Sequence, residues 1–225
     1  MINVITGDDS DNIYGGTHGR DSIDGLGGND TLTSTHGSDR LYGGADDDNL
    51  SITAVPPDDI GFNSFGVGYG GDGNDVLYAT LGNWVQGDGG DDSLSGTGDL
   101  HGGAGNDVIT GGHSGVGDDG NDLITDITTS AAGGAGDDTI IGSGDYAEGG
   151  AGNDSITGGL HIDGGIGALS EDGNDTLTGD AGINEILDYA GANLIYGMGG
   201  ADFIFCYNGT DTIYGGLGQI GRAHV

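Results

Sequence analysis

Along most of the chain an aliphatic residue recurs two positions after an Asp or Asn, and nearly everything around it is small or polar. The recurring positions are Ile13, Ile23, Leu32, Leu41, Leu50, Leu77, Leu94, Ile109, Ile124, Ile140, Ile156, Leu177, Ile186, Ile195, Ile204 and Ile213, and each is Ile or Leu. The neighbours are mostly Thr, Ser, Val and Tyr, residues suited to a pleated, half-exposed strand. Strands this short turn one large side chain inward, and single inward side chains at a regular step form a core only by stacking coil upon coil. The pattern therefore predicts an all-β chain: a β-solenoid of stacked short strands and Gly/Asp-rich turns, without helices of note.

The step is nine residues where the array is most regular. Asp21, Asp30, Asp39 and Asp48 follow one another at that interval, and so do Asp175, Asn184, Asn193, Asp202 and Asp211. The full unit is GGDGNDVLY from Gly70 to Tyr78, and it returns as GGAGNDVIT at Gly102, GGAGDDTII at Gly133 and GGAGNDSIT at Gly149. Composition then poses a problem. The chain has 55 Gly among 225 residues and a formal charge of −34 with three basic residues. Such a charge opposes compaction and excludes nucleic acid and anionic membrane surfaces as partners. A folded array therefore needs a cationic partner and glycines that occupy required backbone positions. One cysteine, Cys206, allows no disulfide within the chain and reads as a small strand residue. No apolar run is long enough for a membrane span, so no membrane insertion is expected.

The unit matches G-G-x-G-x-D-x-U-x, and from about Thr6 to Gly218 the chain resembles the RTX (haemolysin-type) calcium-binding repeat family. The resemblance implies a parallel β-roll with several calcium ions between turns stacked on one edge. The implied ligands are the sixth-position carboxylates Asp11, Asp21, Asp30, Asp39, Asp48, Asp75, Asp92, Asp107, Asp122, Asp138, Asp154, Asp175, Asp202 and Asp211. Backbone carbonyls of the turns are expected to join them, at Gly71, Gly73, Gly90, Gly103, Gly105, Gly120, Gly134, Gly136, Gly150, Gly152 and Gly173. Carboxylates and carbonyls are the hard oxygen donors that calcium takes, and glycine permits positive φ and close backbone approach. Magnesium, with its tight octahedron, suits the set less well, and no Cys or His recurs in register for a transition metal.

The spacing divides the array. Residues 1–51 form regular nonapeptide coils in which both edges look competent for metal. Residues 52–69, with Pro56-Pro57, read as degenerate half-coils or a bulging loop, whose Phe62 and Phe65 are expected to cover apolar core. From Asp75 to Asp175 the steps become 17, 15, 15, 16, 16 and 21. Over 70–178, then, full nonapeptides alternate with short turns, which predicts one row of calcium along one edge. Residues 179–218 are more apolar and read as capping coils, with Asn184 and Asn193 lacking the charge that calcium favours. The final stretch, 219–225, breaks every pattern. Its last six residues are those encoded by the start of a common sequencing adapter, so a non-native tail is expected.

No zinc-protease motif or nucleophile elbow is present, and GxGxxG matches carry no weight in a glycine array; no enzyme is expected. The resemblance implies a module of a secreted or cell-surface bacterial protein, exported unfolded by type I secretion machinery and folding on calcium outside. The first residues, from Met1 to Asp8, have neither a basic start nor an apolar stretch, so no Sec-type leader is expected. Two settings for the module remain open: a structural or ligand-binding stretch of a surface adhesin, or the non-catalytic part of an exported protease, lipase or toxin.

Overall fold

A computed structural model describes residues 2–53, 65–80, 82–159, 161–163 and 173–217. The described residues contain strands and turns, without helix, and every strand pairing is parallel. They fall into two compact units, residues 1–113 and 114–225.

In the first unit the chain runs alternately through two sheets. One holds Ile2–Thr6, Arg20–Gly27, Arg40–Ala45, Val67–Asp72, Trp84–Gly89 and Asp99–Ala104; the other holds Ile13–Gly15, Thr31–Ser34, Asn49–Ile52, Val76–Ala79, Ser93–Gly96 and Val108–Gly111. Register stacks Leu32 on Leu50, Leu50 on Leu77, Leu77 on Leu94 and Leu94 on Ile109, and all five are fully buried. Facing this column, the first sheet stacks Ile23, Leu41, Gly68, Val85 and Leu100. The core is thus two side chains wide, one from each sheet, as the sequence pattern predicts.

The second unit repeats the plan. Ile124, Ile140, Ile156, Leu177, Ile195 and Ile213 form one column. Gly115, Ala131 and Ala147 begin the opposite one, followed by Ile162, Ile186 and Ile204.

The two edges of a coil differ. From Arg20–Gly27 onward the connection from the first sheet to the second is three residues ending in Asp, for example Asp46-Asp47-Asp48, Gly73-Asn74-Asp75 and Gly136-Asp137-Asp138. This constant edge holds through Ser155. The return connection varies from two residues, Thr97-Gly98, to the 14 residues between Ile52 and Val67. Up to Asp154 the changes in step are absorbed on the return edge; the 21-residue step from Asp154 to Asp175 falls instead between Asp163 and Thr176. Arg40–Ala45 pairs directly with Val67–Asp72, and Asn49–Ile52 with Val76–Ala79, so no coil intervenes. Residues 54–64, which hold most of the segment read as degenerate together with Phe62, lie outside the described residues. So do 164–172 and the tail from 218 onward. Phe65 is described and is 57% exposed, so it does not cover the core as expected.

Register corrects the first coil. Tyr14 aligns with Leu32 and Ile13 with Thr31, which puts Asn12, not Asp11, in the sixth position. Ile13 is accordingly 83% exposed. The sequence offered Asp and Ile two apart at 11 and 13, and that local match is one residue out of phase with the stacked coils.

Candidate metal centres

On the constant edge the sixth-position side chains form a column, and each is fixed the same way. Oδ1 of Asp30, Asp48, Asp75, Asp92 and Asp107 accepts the backbone N–H of the equivalent residue one coil earlier, at 2.6–2.8 Å. In the second unit Asp138, Asp154 and Asp175 do so at 2.8–2.9 Å. Fifth-position residues clamp in the opposite direction: Oδ1 of Asp47, Asn74 and Asp91 accepts the N–H of Asn74, Asp91 and Asn106 one coil later. Each turn is therefore tied to both neighbours by side chains of two consecutive residues. Asp11 belongs to this fifth-position ladder, accepting from Asn29 N–H at 3.0 Å in an exposed setting.

The second carboxylate oxygen is what distinguishes the constant edge. Oδ2 of Asp30, Asp48, Asp75, Asp92 and Asp138 is buried and has no hydrogen-bond partner among the described residues. It faces the first glycine of its own turn: a Cβ added to Gly25, Gly43, Gly70, Gly87 or Gly133 would collide with it. The same Cβ would meet the carbonyl of the next coil's first glycine, at Gly43, Gly70, Gly87, Gly102 or Gly149. The hollow at each first glycine is thus lined by an unsatisfied carboxylate oxygen and a carbonyl oxygen. These first glycines were not singled out from the sequence, although they begin every full repeat.

The second and fourth glycines, expected as carbonyl donors, do sit where coils approach most closely. Gly71, Gly73, Gly90, Gly103, Gly105, Gly134, Gly136, Gly150 and Gly152 all have φ between 109° and 142°. A Cβ on any of them would strike a carbonyl of the preceding coil, such as Gly73 O beneath Gly90 or Gly90 O beneath Gly105. Gly120 shares the positive φ, at 136°, while Gly173 makes the close approach to Gly152 O without it.

An unneutralised column of this kind is electrostatically costly. Burial, reinforced by neighbouring carboxylates, pushes Asp48, Asp92 and Asp138 up to about 7 and Asp75 to about 6. Desolvation disfavours the charged form, and like charges add to it. Oxygen donors without nitrogen or sulfur, gathered around buried negative charge, fit a hard divalent cation of tolerant geometry, which is calcium.

On the variable edge the expectation of a second competent row near the N-terminus does not hold. Asp39 Oδ2 accepts from Ser34 Oγ at 2.5 Å, while its Oδ1 takes Asp21 N–H. Asp21 is closed by Thr17, which donates both N–H and hydroxyl, and by Asn3 Nδ2. Protein donors occupy the oxygens that the constant edge leaves open. The signal was visible in the sequence as Thr17 and Ser34 in the turns GTHGRD and STHGSD. Asn184 and Asn193 likewise spend their amides on the backbone, Asn184 donating to Gly159 O of the preceding coil and Asn193 to Ala190 O of its own turn. Asp202 differs: its Oδ2 is buried beside Gly197 without a hydrogen-bond partner among the described residues, as on the constant edge. Asp211, at the last coil, is half-buried and accepts from Asn193 N–H at 3.2 Å.

No curated protein and no solved structure matches the chain. A family model does, described as the RTX calcium-binding nonapeptide repeat, over residues 16–50, 69–99, 95–114, 130–145, 143–168, 170–204 and 187–219. Those segments take in well over half of the sequence and most of the constant-edge turns whose open oxygens have just been described. The chain belongs to the RTX calcium-binding repeat family.

Proposed function

We propose that this chain is the calcium-binding, calcium-folded module of a secreted bacterial protein, with its metal sites mainly along the constant edge of each unit and no catalysis of its own. The observation that carries the reading is the column of buried, partnerless Oδ2 atoms facing the first glycines. Asp30, Asp48, Asp75, Asp92, Asp107, Asp122, Asp138, Asp154 and Asp175 are the carboxylate ligands, with turn carbonyls completing the oxygen set. Asp202 adds a site on the other edge, whereas Asp21 and Asp39 are structural. The cation supplies positive charge and coordination bonds between coils.

Without that charge the carboxylates repel, and a core two side chains wide does not offset the entropy of ordering so much glycine. Binding free energy then becomes folding free energy. Extracellular calcium modules work at Kd ~10⁻⁴–10⁻³ M, so a cytosol poor in calcium keeps such a chain unfolded and exportable. Type I export and an extracellular or surface location follow from this reading together with the family. Limited proteolysis tests it. The chain is expected to resist protease in millimolar calcium and to be degraded along its length in chelator; equal cleavage in both would count against it.

A further inference from the structure

Near the C-terminus one cluster departs from the all-oxygen chemistry. Cys206 ends the strand Phe203–Cys206 and pairs in register with Asp188, which ends Glu185–Asp188; both side chains are buried. Asp211 approaches from the turn that follows. The Cys206 sulfur and one carboxylate oxygen from each Asp lie within 4.8 Å of one another. Asn193 orients both acids: its Nδ2 donates to Asp188 Oδ1 at 2.5 Å and its N–H to Asp211 Oδ1 at 3.2 Å.

Two acids adjoin the Cys206 sulfur, and burial together with them pushes its thiol up to about 12. A thiol has one proton and serves one acceptor at a time. A strand residue needed only for its volume would not require two acids at its sulfur. A cation accepts electron pairs from all three groups at once, and sulfur among them selects against calcium and for a borderline or soft ion. Zinc takes thiolate and carboxylate together in a tetrahedron, and three protein donors leave its fourth position to water. Asn193 occupies the place of the outer partner that holds metal-binding carboxylates in orientation.

We propose that Asp188, Cys206 and Asp211 form a site for a thiophilic divalent cation of the zinc or cadmium class, distinct from the calcium row. Binding displaces the thiol proton to solvent and forms a sulfur–metal bond, with no redox change. Asp211 is available for it because the adjacent constant-edge position is Asn193, which brings no charge to a calcium site.

The test uses the whole chain, folded in excess calcium and titrated with cadmium while the ultraviolet thiolate-to-cadmium charge-transfer absorption is followed. Cadmium in the calcium row gives no such band, because no sulfur lies there. The expected result is a band that saturates at about one equivalent and is displaced by zinc. Cys206→Ser abolishes it while the calcium-dependent circular dichroism persists. Asn193→Ala weakens apparent affinity about 10–100-fold, the usual effect of losing an outer-shell partner. Asp188→Asn and Asp211→Asn keep the thiol and decide the matter if Cys206→Ser does not fold: each is expected to weaken binding at least tenfold. No band in the unaltered chain, or a band indifferent to both Asp substitutions, overturns the proposal. Calcium-driven folding is read separately, so this site can fail while the calcium reading stands.

Discussion

Gly90→Ala is expected to destabilise the calcium-saturated chain by at least about 2 kcal/mol, read from urea unfolding at fixed calcium. Gly90 has a φ of 128°, a conformation that L side chains rarely adopt, and a Cβ there would collide with Gly73 O of the preceding coil. The strained dihedral alone costs on the order of 1–3 kcal/mol. The collision is with backbone, which cannot rotate away as a side chain can. Relief therefore requires the coils to separate, and separation loosens the oxygen-lined hollows on both sides. Gly89→Ala is the control. The carbonyl nearest to a Cβ there, Gly71 O, is 3.8 Å away, and a change of under about 0.5 kcal/mol is expected. Similar losses for both variants would mean that glycine matters here only for chain flexibility.

Asp92→Asn should move the folded state in opposite directions with and without metal. The amide keeps an Oδ1 acceptor for Asp75 N–H, now at 2.7 Å, so the ladder between coils survives. What disappears is a charge that is buried, beside Asp107 and Asp75, and pushed up to about 7. A carboxylate raised from its ordinary value of 3.8 contributes stability at low pH that is lost as pH rises through about 7. At about pH 8 without calcium the charge is therefore a burden, and its removal should give more residual β-structure than in the parent chain. With calcium the same substitution removes a ligand. The folding midpoint is expected at a higher calcium concentration and with shallower cooperativity. Asp92→Ala, which also breaks the ladder, should lower stability in both conditions. Circular dichroism on the three proteins, in chelator and across a calcium series, separates these outcomes. A midpoint unchanged in Asp92→Asn would remove Asp92 from the metal set.

Much of this was legible in the sequence because a solenoid writes its fold locally. The Ile/Leu positions from Ile23 to Ile204 are core positions, since each coil must put one large side chain on the stack. The steps between Asp75 and Asp154 placed the regular turns on one edge, and the structure shows why: over that stretch this edge keeps a three-residue connection while the other takes up the changes in length. The rule that reads an aliphatic residue after an acid could not find Val85, Leu100, Ala131 or Ala147. Leu100 and Ala131 have Gly98 and Thr129 in the sixth position, while Val85 and Ala147 follow Asn83 and Asp145 but are neither Ile nor Leu.

The candidate site was less legible, because metal competence depends on what else reaches a carboxylate. Asp39 and Asp48 look alike in the repeat, but Ser34 fills the open oxygen of one and nothing does so for the other. Asp11 has the right chemistry one residue out of register. The first glycines were passed over because their φ is ordinary. Their requirement is space for Oδ2, which shows only when the turn is closed in three dimensions.

The central claim is that calcium and folding are one equilibrium, and a calcium titration followed by far-ultraviolet circular dichroism, with magnesium in parallel, tests it most directly. The account predicts a cooperative passage from coil to β-structure in calcium at about 10⁻⁴–10⁻³ M, and little response to magnesium at the same concentrations. A spectrum that stays coil at every calcium concentration, or one already β in chelator at neutral pH, would contradict it.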